Sequence, residues 1–379
     1  MKKIFFWCPF IDHVGTVKSL RNSLYALNKY SSKNYSITLI NVFGEWDDYL
    51  KYFEKINASI INLKITNKEL IKKRRGFITS RYFYIKILVL SIYPLYKILK
   101  SEKPDYFIAS LITIVPLIIF NVFNLTTQLI IRISGLPKLN FIRKFVWKKF
   151  FNKVTIVFCP TINTKKLLTE KLPKFKDKII LLRDPIVVLK ELNDQKKTIN
   201  KDEKKQSYIA IGRLTKQKNF GLLIETINIL KTKYKKYLKL IIIGDGEEKN
   251  NLKKLITKFN LENQVELKNF TNDVFKYFLN SKCLICTSLW EDPGFVIIEA
   301  GLFNLPVISN ACKSGPIEIL DKSKNGYLFK FNSKEDLIKK IIEFENDSKK
   351  KIMDKKVRLK KYISLFSIFN FNKEFKKYF

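Results

Sequence analysis

Short apolar runs alternate with amphipathic stretches along the whole chain, and the alternation starts afresh at Tyr208 after a polar interval. That order constrains the fold more than any other feature, because alternating strand and helix signals build parallel sheets covered by helices. Strands are predicted at Lys3–Trp7, Ser36–Asn41, Ser59–Leu63, Tyr106–Ser110, Gln128–Ile133 and Thr155–Cys159. The second series comprises Tyr208–Ile211, Leu238–Ile243, Val265–Lys268, Cys283–Cys286 and Pro306–Ser309. Helices are predicted at Val17–Tyr30, Asp47–Ile56, Ile85–Lys100, Ile114–Phe123 and Asn163–Lys171, then at Gly221–Tyr234, Glu247–Phe259, Val274–Asn280, Val296–Leu302 and Lys334–Asn346. Leu189–Gln206, rich in Lys, Asn and Asp, reads as a linker. A length of 379 residues favours two domains. The expected division is a first domain at 1–185, a linker and lead-in at 186–206, a second domain at 207–362, and a C-terminal helix at 363–379 that returns to the first. The fold class is α/β, with two Rossmann-like domains enclosing a cleft and ligands at the carboxyl ends of the strands.

Hydrophobic residues make up 46% of the chain, enough for a core in each half, and the net charge is +38. Such a charge suits a polyanion or an anionic membrane. Only nine of the 72 basic residues are Arg, and the chain is rich in Ile, Asn, Phe and Tyr, so part of the charge matches the drift of an AT-rich genome. Nucleic acid is the weaker partner, because sequence-specific readers lean on Arg and none of their motifs is present. Lys72-Lys-Arg-Arg75 and the aromatic, Lys-flanked stretch Arg81–Lys100 fit the surface of an anionic bilayer, although a core helix with Lys ends has the same composition. The nearly apolar stretch Tyr106–Ile133 is broken by Pro116, Asn121, Asn124 and Gln128, so strand–helix–strand is preferred to a membrane span. The N-terminal apolar run is too short for a secretory signal and reads as a first strand. Cys8, Cys159, Cys283, Cys286 and Cys312 each lie in or beside an apolar run. They read as buried thiols in a reducing cytoplasm rather than as metal ligands, since His13 is the only His.

The segment Glu291-Asp-Pro-Gly-Phe-Val-Ile-Ile-Glu299 carries two carboxylates across a turn that opens a helix. The expected geometry has Glu291 at the turn and Glu299 about two helical turns deeper, facing the same cleft. Between them the first-turn N–H groups favour an anion, phosphate above all. One segment therefore offers a phosphate seat and two acceptors for hydroxyl groups, which a nucleotide-sugar requires together. Gly212-Arg213 followed by Lys218 closes the first strand of the second half. Gly212 allows close approach of backbone or ligand, and Arg213 with Lys218 forms either a diphosphate clamp or a solvated basic loop.

Other positions carry two readings each. Gly244-Asp-Gly246-Glu247 is a ligand-facing turn or strand-to-helix punctuation, and Phe270 is a platform for a base or a core residue. Ser314-Gly315-Pro316 is a structural turn or a lining segment. His13-Val-Gly15 lies between first strand and first helix, where His13 is a reacting group or a merely packed side chain.

Taken in order, these motifs resemble the retaining glycosyltransferases of family four, which have the GT-B fold. The likeness covers Tyr208 to Phe329 strongly and the first half in outline. The family turn reads Glu-x-Phe-Gly-x-x-x-x-Glu, then Ala and a Gly-x-Pro-Val strand. Glu291, Gly294, Glu299, Ala300 and Pro306-Val307 fall in register, with Pro293 where Phe is usual and Asn304 where Gly is usual. The resemblance implies that Arg213 and Lys218 hold the diphosphate and stabilise the leaving nucleotide, with Glu291 on the transferred sugar. It further implies that Gly294, Phe295 and Val296 offer amides to phosphate, that Glu299 binds the ribose, and that Gly15 meets the donor from the other domain. No metal or cofactor is expected. Many family members carry a His where this chain reads Ile130-Ile-Arg132-Ile-Ser134-Gly135, which leaves Arg132, Ser134 or the donor phosphate oxygen to serve the acceptor side.

The expected activity is retaining transfer from a UDP- or GDP-linked sugar to a glycan or polyprenyl-linked glycan in surface polysaccharide or lipopolysaccharide synthesis. The expected location is the cytoplasm, peripheral on the inner face of the membrane. The alternative is a catalytically silent GT-B subunit that binds membrane or a partner enzyme.

Overall fold

The computed structural model describes residues 1–11, 15–65, 77–135, 137, 147–188, 207–271 and 273–379. Two compact units emerge, Met1–Pro185 with Ile368–Phe379, and Ile186–Ser367. The linker read at Leu189–Gln206 lies outside the described residues, as do His13 and Lys72–Arg75.

The first unit is built on seven strands, β1 (Lys2–Trp7), β2 (Tyr35–Asn41), β3 (Ser59–Asn62), β4 (Tyr106–Ala109), β5 (Gln128–Arg132), β6 (Val154–Cys159) and β7 (Ile179–Leu181). Their order in the sheet is β3-β2-β1-β4-β5-β6-β7, all parallel. The second unit has β8 (Ser207–Ile211), β9 (Lys239–Ile243), β10 (Val265–Lys268), β11 (Ser281–Cys286), β12 (Val307–Asn310) and β13 (Tyr327–Phe329). Their order is β10-β9-β8-β11-β12-β13, again parallel. Each unit thus repeats one doubly wound topology, whose strand order reverses beside its first strand.

Burial on both faces explains why the strands read as continuous apolar runs. In the second unit Tyr208, Ala210, Leu240, Ile242 and Ile285 face one core with the helices Phe220–Thr232 and Lys334–Asn346. The alternate residues Ile209, Ile243, Leu284 and Val307 face another with Phe295–Leu302 and Lys349–Ile363. The apolar region 106–133 is strand, helix (Ile114–Val122) and strand. Among the described residues no helix is long and apolar enough to cross a membrane.

Four elements differ from expectation. The helix predicted at Ile85–Lys100 runs from Phe77 to Glu102. The three-residue edge strands β7 and β13, and the lysine-dense helix Lys349–Ile363, were not predicted. The final helix, Ile368–Phe375, packs on Gly15–Ser31: Ser31 Oγ donates to Asn372 Oδ1 at 2.7 Å, and Tyr30 meets Phe369 edge-on at 5.7 Å.

A buried cation ties the first unit together. Arg132, at the end of β5 and 6% exposed, donates to Ser23 Oγ at 2.7 Å and to Ser19 Oγ at 2.6 Å, both on the helix Gly15–Ser31. It also pairs with Asp184, and its guanidinium lies 5.6 Å from the centre of the Phe371 ring. Strand end, helix, chain exit and returning helix thereby share one side chain.

Glu45, in the loop after β2 and 2% exposed, is a second buried charge site. Its carboxylate accepts from Val42 N at 3.1 Å and Phe43 N at 2.9 Å. Burial raises its pKa from 4.5 to about 7 against those N–H bonds, with Asp47 adding to the rise. The folded state therefore holds this proton more tightly than the unfolded chain. The stability so gained is complete below pH 4.5 and is lost as pH rises through about 7. Glu45→Gln should flatten the fall in denaturation midpoint between about pH 5 and about pH 8. An unchanged slope in the variant would assign it to another group.

Candidate functional site

Strands β8 and β11 are neighbours at the point where the second sheet reverses its order, the place where open α/β sheets bind ligands. The loop after β8 carries Gly212, Arg213 and Lys218, and the loop after β11 carries Glu291. Glycines let the loop after β8 fold tightly and pack against the loop after β9. A Cβ on Gly212, where φ is +156°, would stand 2.7 Å from Lys218 Cε. One on Gly244 would stand 1.9 Å from the Gly212 carbonyl oxygen, and one on Gly246 2.5 Å from that of Leu214. Leu214 N donates to Asp245 O at 2.8 Å and Glu248 N to Leu214 O at 2.9 Å. The turn at Gly244–Glu247 therefore buttresses the Arg213 loop from behind.

Lys218 and Glu291 form a buried ion pair, their side chains 14% and 10% exposed. Burial opposes the charged form of Lys218, yet Glu291 outweighs it and the Lys218 pKa is raised. Ser288 Oγ donates to the same Glu291 oxygen at 2.7 Å. Thr287 Oγ1 donates to Lys218 O at 2.8 Å, and Leu289 N to Gln217 O at 2.8 Å. Behind them Asn310 Nδ2 donates to Ser288 O at 2.9 Å and Asn310 Oδ1 accepts from Asn332 N at 3.0 Å, while Asn219 Nδ2 donates to Asn332 Oδ1 at 2.9 Å. Arg213 is exposed and reaches Gln217 Oε1 at 3.4 Å.

The next turn leads into the helix Phe295–Leu302, with Gly294 at its N-cap in the left-handed region, φ +101°. The first ladder bonds run from Ile297 N and Ile298 N to Gly294 O, at 3.1 and 3.4 Å. Phe295 and Val296 hold the amides ahead of that ladder, the ones a helix leaves for an external acceptor. Glu299 is the fifth residue of eight and half-buried. It therefore lies about one helical turn from the start, not two. A third loop clamps the turn: Ser314 Oγ donates to Asp292 Oδ1 at 2.8 Å and Gly315 N to Glu291 O at 3.2 Å. A Cβ on Gly315 would lie 1.6 Å from the Pro293 carbonyl oxygen, so glycine is required there.

The remaining sequence candidates fall elsewhere. Gly15 is exposed at the first position of its helix, and Ser134 follows β5, half-exposed. Arg132, expected on the acceptor side, directs its guanidinium into the internal cluster with Ser19, Ser23 and Asp184, which is the physical reason to assign it a structural task. Phe270 is 65% exposed beyond β10, which removes the reading as a core residue. Ser288, Asn310 and Asn332 were not singled out from the sequence. Their one signal is a polar residue at or shortly after the end of an apolar strand, a pattern that also marks an ordinary turn. Among the described residues no group of three or more His, Cys, Asp or Glu is placed to hold a metal ion.

Comparison with known proteins bears on this arrangement. The family described as "Glycosyl transferases group 1" matches residues 192–363. An uncharacterized glycosyltransferase of Methanocaldococcus jannaschii is 31% identical over 319 residues, 76% of this chain and 78% of that one. The chain belongs to the group 1 glycosyltransferases. This glycosyltransferase is also 24% identical over 344 residues, 89% of its length and 92% of the relative's, to a Campylobacter jejuni alpha-1,4-N-acetyl-D-galactosaminyltransferase. That relative's name specifies a PP-undecaprenol-linked GalNAc glycan. Among solved structures, Anabaena HepE in complex with UDP superposes with a TM-score of 0.71 at 15% identity, covering 100% of this chain and 99% of that one. The two parallel-sheet domains of this glycosyltransferase are thus those of GT-B enzymes.

Breaking the ion pair from one side should be costly, because it strands a buried charge. Lys218→Ala or Glu291→Ala alone should destabilise the second unit by about 3–5 kcal/mol, whereas Lys218→Met with Glu291→Leu should be close to neutral. The orphaned Ser288 hydroxyl would add about 1 kcal/mol to the double variant. Urea denaturation of the three variants checks this. Additive single costs would show that the two charges do not support each other.

Proposed function

We propose that this glycosyltransferase moves a sugar from a UDP- or GDP-linked donor, with retention at the anomeric carbon, to a glycan or polyprenyl-linked glycan in cell-surface polysaccharide synthesis. The observation that carries the reading is the Lys218–Glu291 pair at the switch point of the second sheet, with exposed Arg213 beside it and a helix start beyond it. An arriving diphosphate competes with Glu291 for Lys218, while Arg213 grips it as a two-pronged donor. Withdrawal of Lys218 frees the Glu291 carboxylate for sugar hydroxyls. Glu299 takes the ribose hydroxyls, and the amides of Gly294, Phe295 and Val296 face the phosphates. Preorganised cations and amides stabilise the leaving diphosphate, which is why no metal is assigned a role.

Retention requires the acceptor hydroxyl to enter on the face from which the diphosphate leaves. The bond from C1 to the phosphate oxygen breaks, the bond from C1 to the acceptor oxygen forms, and the acceptor proton passes to the departing phosphate. The stretch Ile130–Gly135 supplies no His, and Arg132 is engaged internally, so the phosphate oxygen is the base this reading assigns. The acceptor class is supported by the Campylobacter relative's PP-undecaprenol glycan and the nucleotide by the UDP complex of HepE. Five buried cysteines in or beside strands suit a reducing cytoplasm.

UDP or GDP at a hundredfold excess over its Kd should stabilise the protein by about 2.7 kcal/mol, and Glu299→Ala should remove that protection. Arg213→Ala should lower kcat by about 10²–10³-fold. Transfer should persist in EDTA and yield product of the donor's anomeric configuration by NMR. An inverted product, or no thermal response to any nucleotide, would sink the reading.

A further inference from the structure

The helix Phe77–Glu102 is apolar on two faces. Its inner stripe, Ile87, Ser91, Leu95 and Leu99, is buried in the first unit, each residue at most 1% exposed. Its outer stripe repeats the same four-residue spacing half a turn away: Ile85 is 58% exposed, Val89 63% and Tyr93 70%. A helix that needs only its inner face for the core has no folding reason for an apolar outer one. The charges on the outer face are of one sign. Lys86, Lys97 and Lys100 lie on or beside the stripe, and the helix holds no carboxylate before Glu102. Lys97 and Lys100 are exposed, and Lys100 Nζ lies 5.7 Å from the centre of the Tyr96 ring.

We infer that this outer face is a docking surface for an anionic phospholipid bilayer, with the helix lying in the headgroup plane. Charge complementarity decides the occupant. An aliphatic and tyrosine ridge flanked only by lysines suits an interface that is apolar beneath and anionic above. The helix does not meet the requirements of a membrane span, so it rests on the bilayer. The lysines supply long-range attraction, while Ile85, Val89 and Tyr93 enter the acyl boundary. The inference is independent of the proposed transfer reaction, and its readout involves no activity.

The full chain should sediment with vesicles of phosphatidylglycerol and phosphatidylcholine in equal parts, and far less with phosphatidylcholine alone. Each lysine near such a surface is worth about fivefold in partition, so Lys86→Gln/Lys97→Gln/Lys100→Gln should weaken binding by about 100-fold. Val89→Ser/Tyr93→Ser should weaken it too, through lost apolar insertion. These positions are exposed or half-exposed, and unchanged thermal melting would verify that both variants fold. The control is Lys356→Gln/Lys360→Gln/Lys361→Gln on the helix Lys349–Ile363, which removes equal charge from the second unit. Equal loss from that variant would mean diffuse attraction of a highly basic protein and would overturn the inference. So would an absence of vesicle binding together with a dimer that Val89→Ser/Tyr93→Ser dissolves, since the face would then join two copies of the chain.

Discussion

The ion pair between Lys218 and Glu291 is the contact on which the architecture of the second unit's loops depends. Two opposite charges are out of water there, a costly arrangement unless every remaining donor and acceptor is met. Ser288 meets Glu291, and Thr287 and Leu289 fasten the Lys218 loop to the strand that delivers Glu291. Gly212 leaves room for the Lys218 side chain, and Gly244, on the loop after β9, leaves room for the Gly212 carbonyl. A larger residue at 212 would push directly on Lys218, and one at 244 on the backbone of the loop that carries it. Glycines and ion pair therefore act on the same side chain: the glycines leave space for Lys218 and its loop, and Glu291 holds its charge.

The two units share a strand order but organise their charges differently. In the first, the cation at the strand end is Arg132, whose bonds to Ser19, Ser23 and Asp184 leave it inside the fold. Asp184 directly precedes the chain's exit from this unit, and Phe371, against the guanidinium, follows its return. The first unit is thus incomplete until the last dozen residues have been made, although its sheet is finished by Leu181. In the second unit the corresponding cation, Lys218, stands at the switch point with exposed Arg213 as its neighbour. A ligand can compete for such a pair; it has no comparable access to Arg132.

The sequence disclosed the sheets because buried parallel strands read as largely apolar runs, and that signal needs no knowledge of partners. It placed Glu291, Gly294 and Glu299 on one turn and helix start because they fall within nine residues. It could not disclose the pairing of Lys218 with Glu291, since 73 positions separate them and the chain offers many other lysines. Arg132 was misplaced for the same reason: its partners at Ser19, Ser23 and Asp184 are scattered over the chain, and a strand-end arginine looks alike whether it points inward or outward. Strands β7 and β13 escaped notice because three residues carry no period. The helix Lys349–Ile363 escaped because its lysines conceal the apolar spacing of Leu359 and Ile363.

Pro293, where Phe is usual in the family, sits in a turn held by the backbone around it. The turn from Glu291 to Gly294 is gripped by main-chain contacts: the Gly315 amide on Glu291 O, and the Pro293 carbonyl packed where Gly315 has no Cβ. Ser314 holds a positive φ of +92°, unusual for a residue with a side chain, while its hydroxyl bonds Asp292. That conformation persists because the clamp over-determines it. None of these contacts involves the Pro293 ring. The grip on the turn that presents Glu291 and opens the helix therefore comes from glycines, amides and one serine.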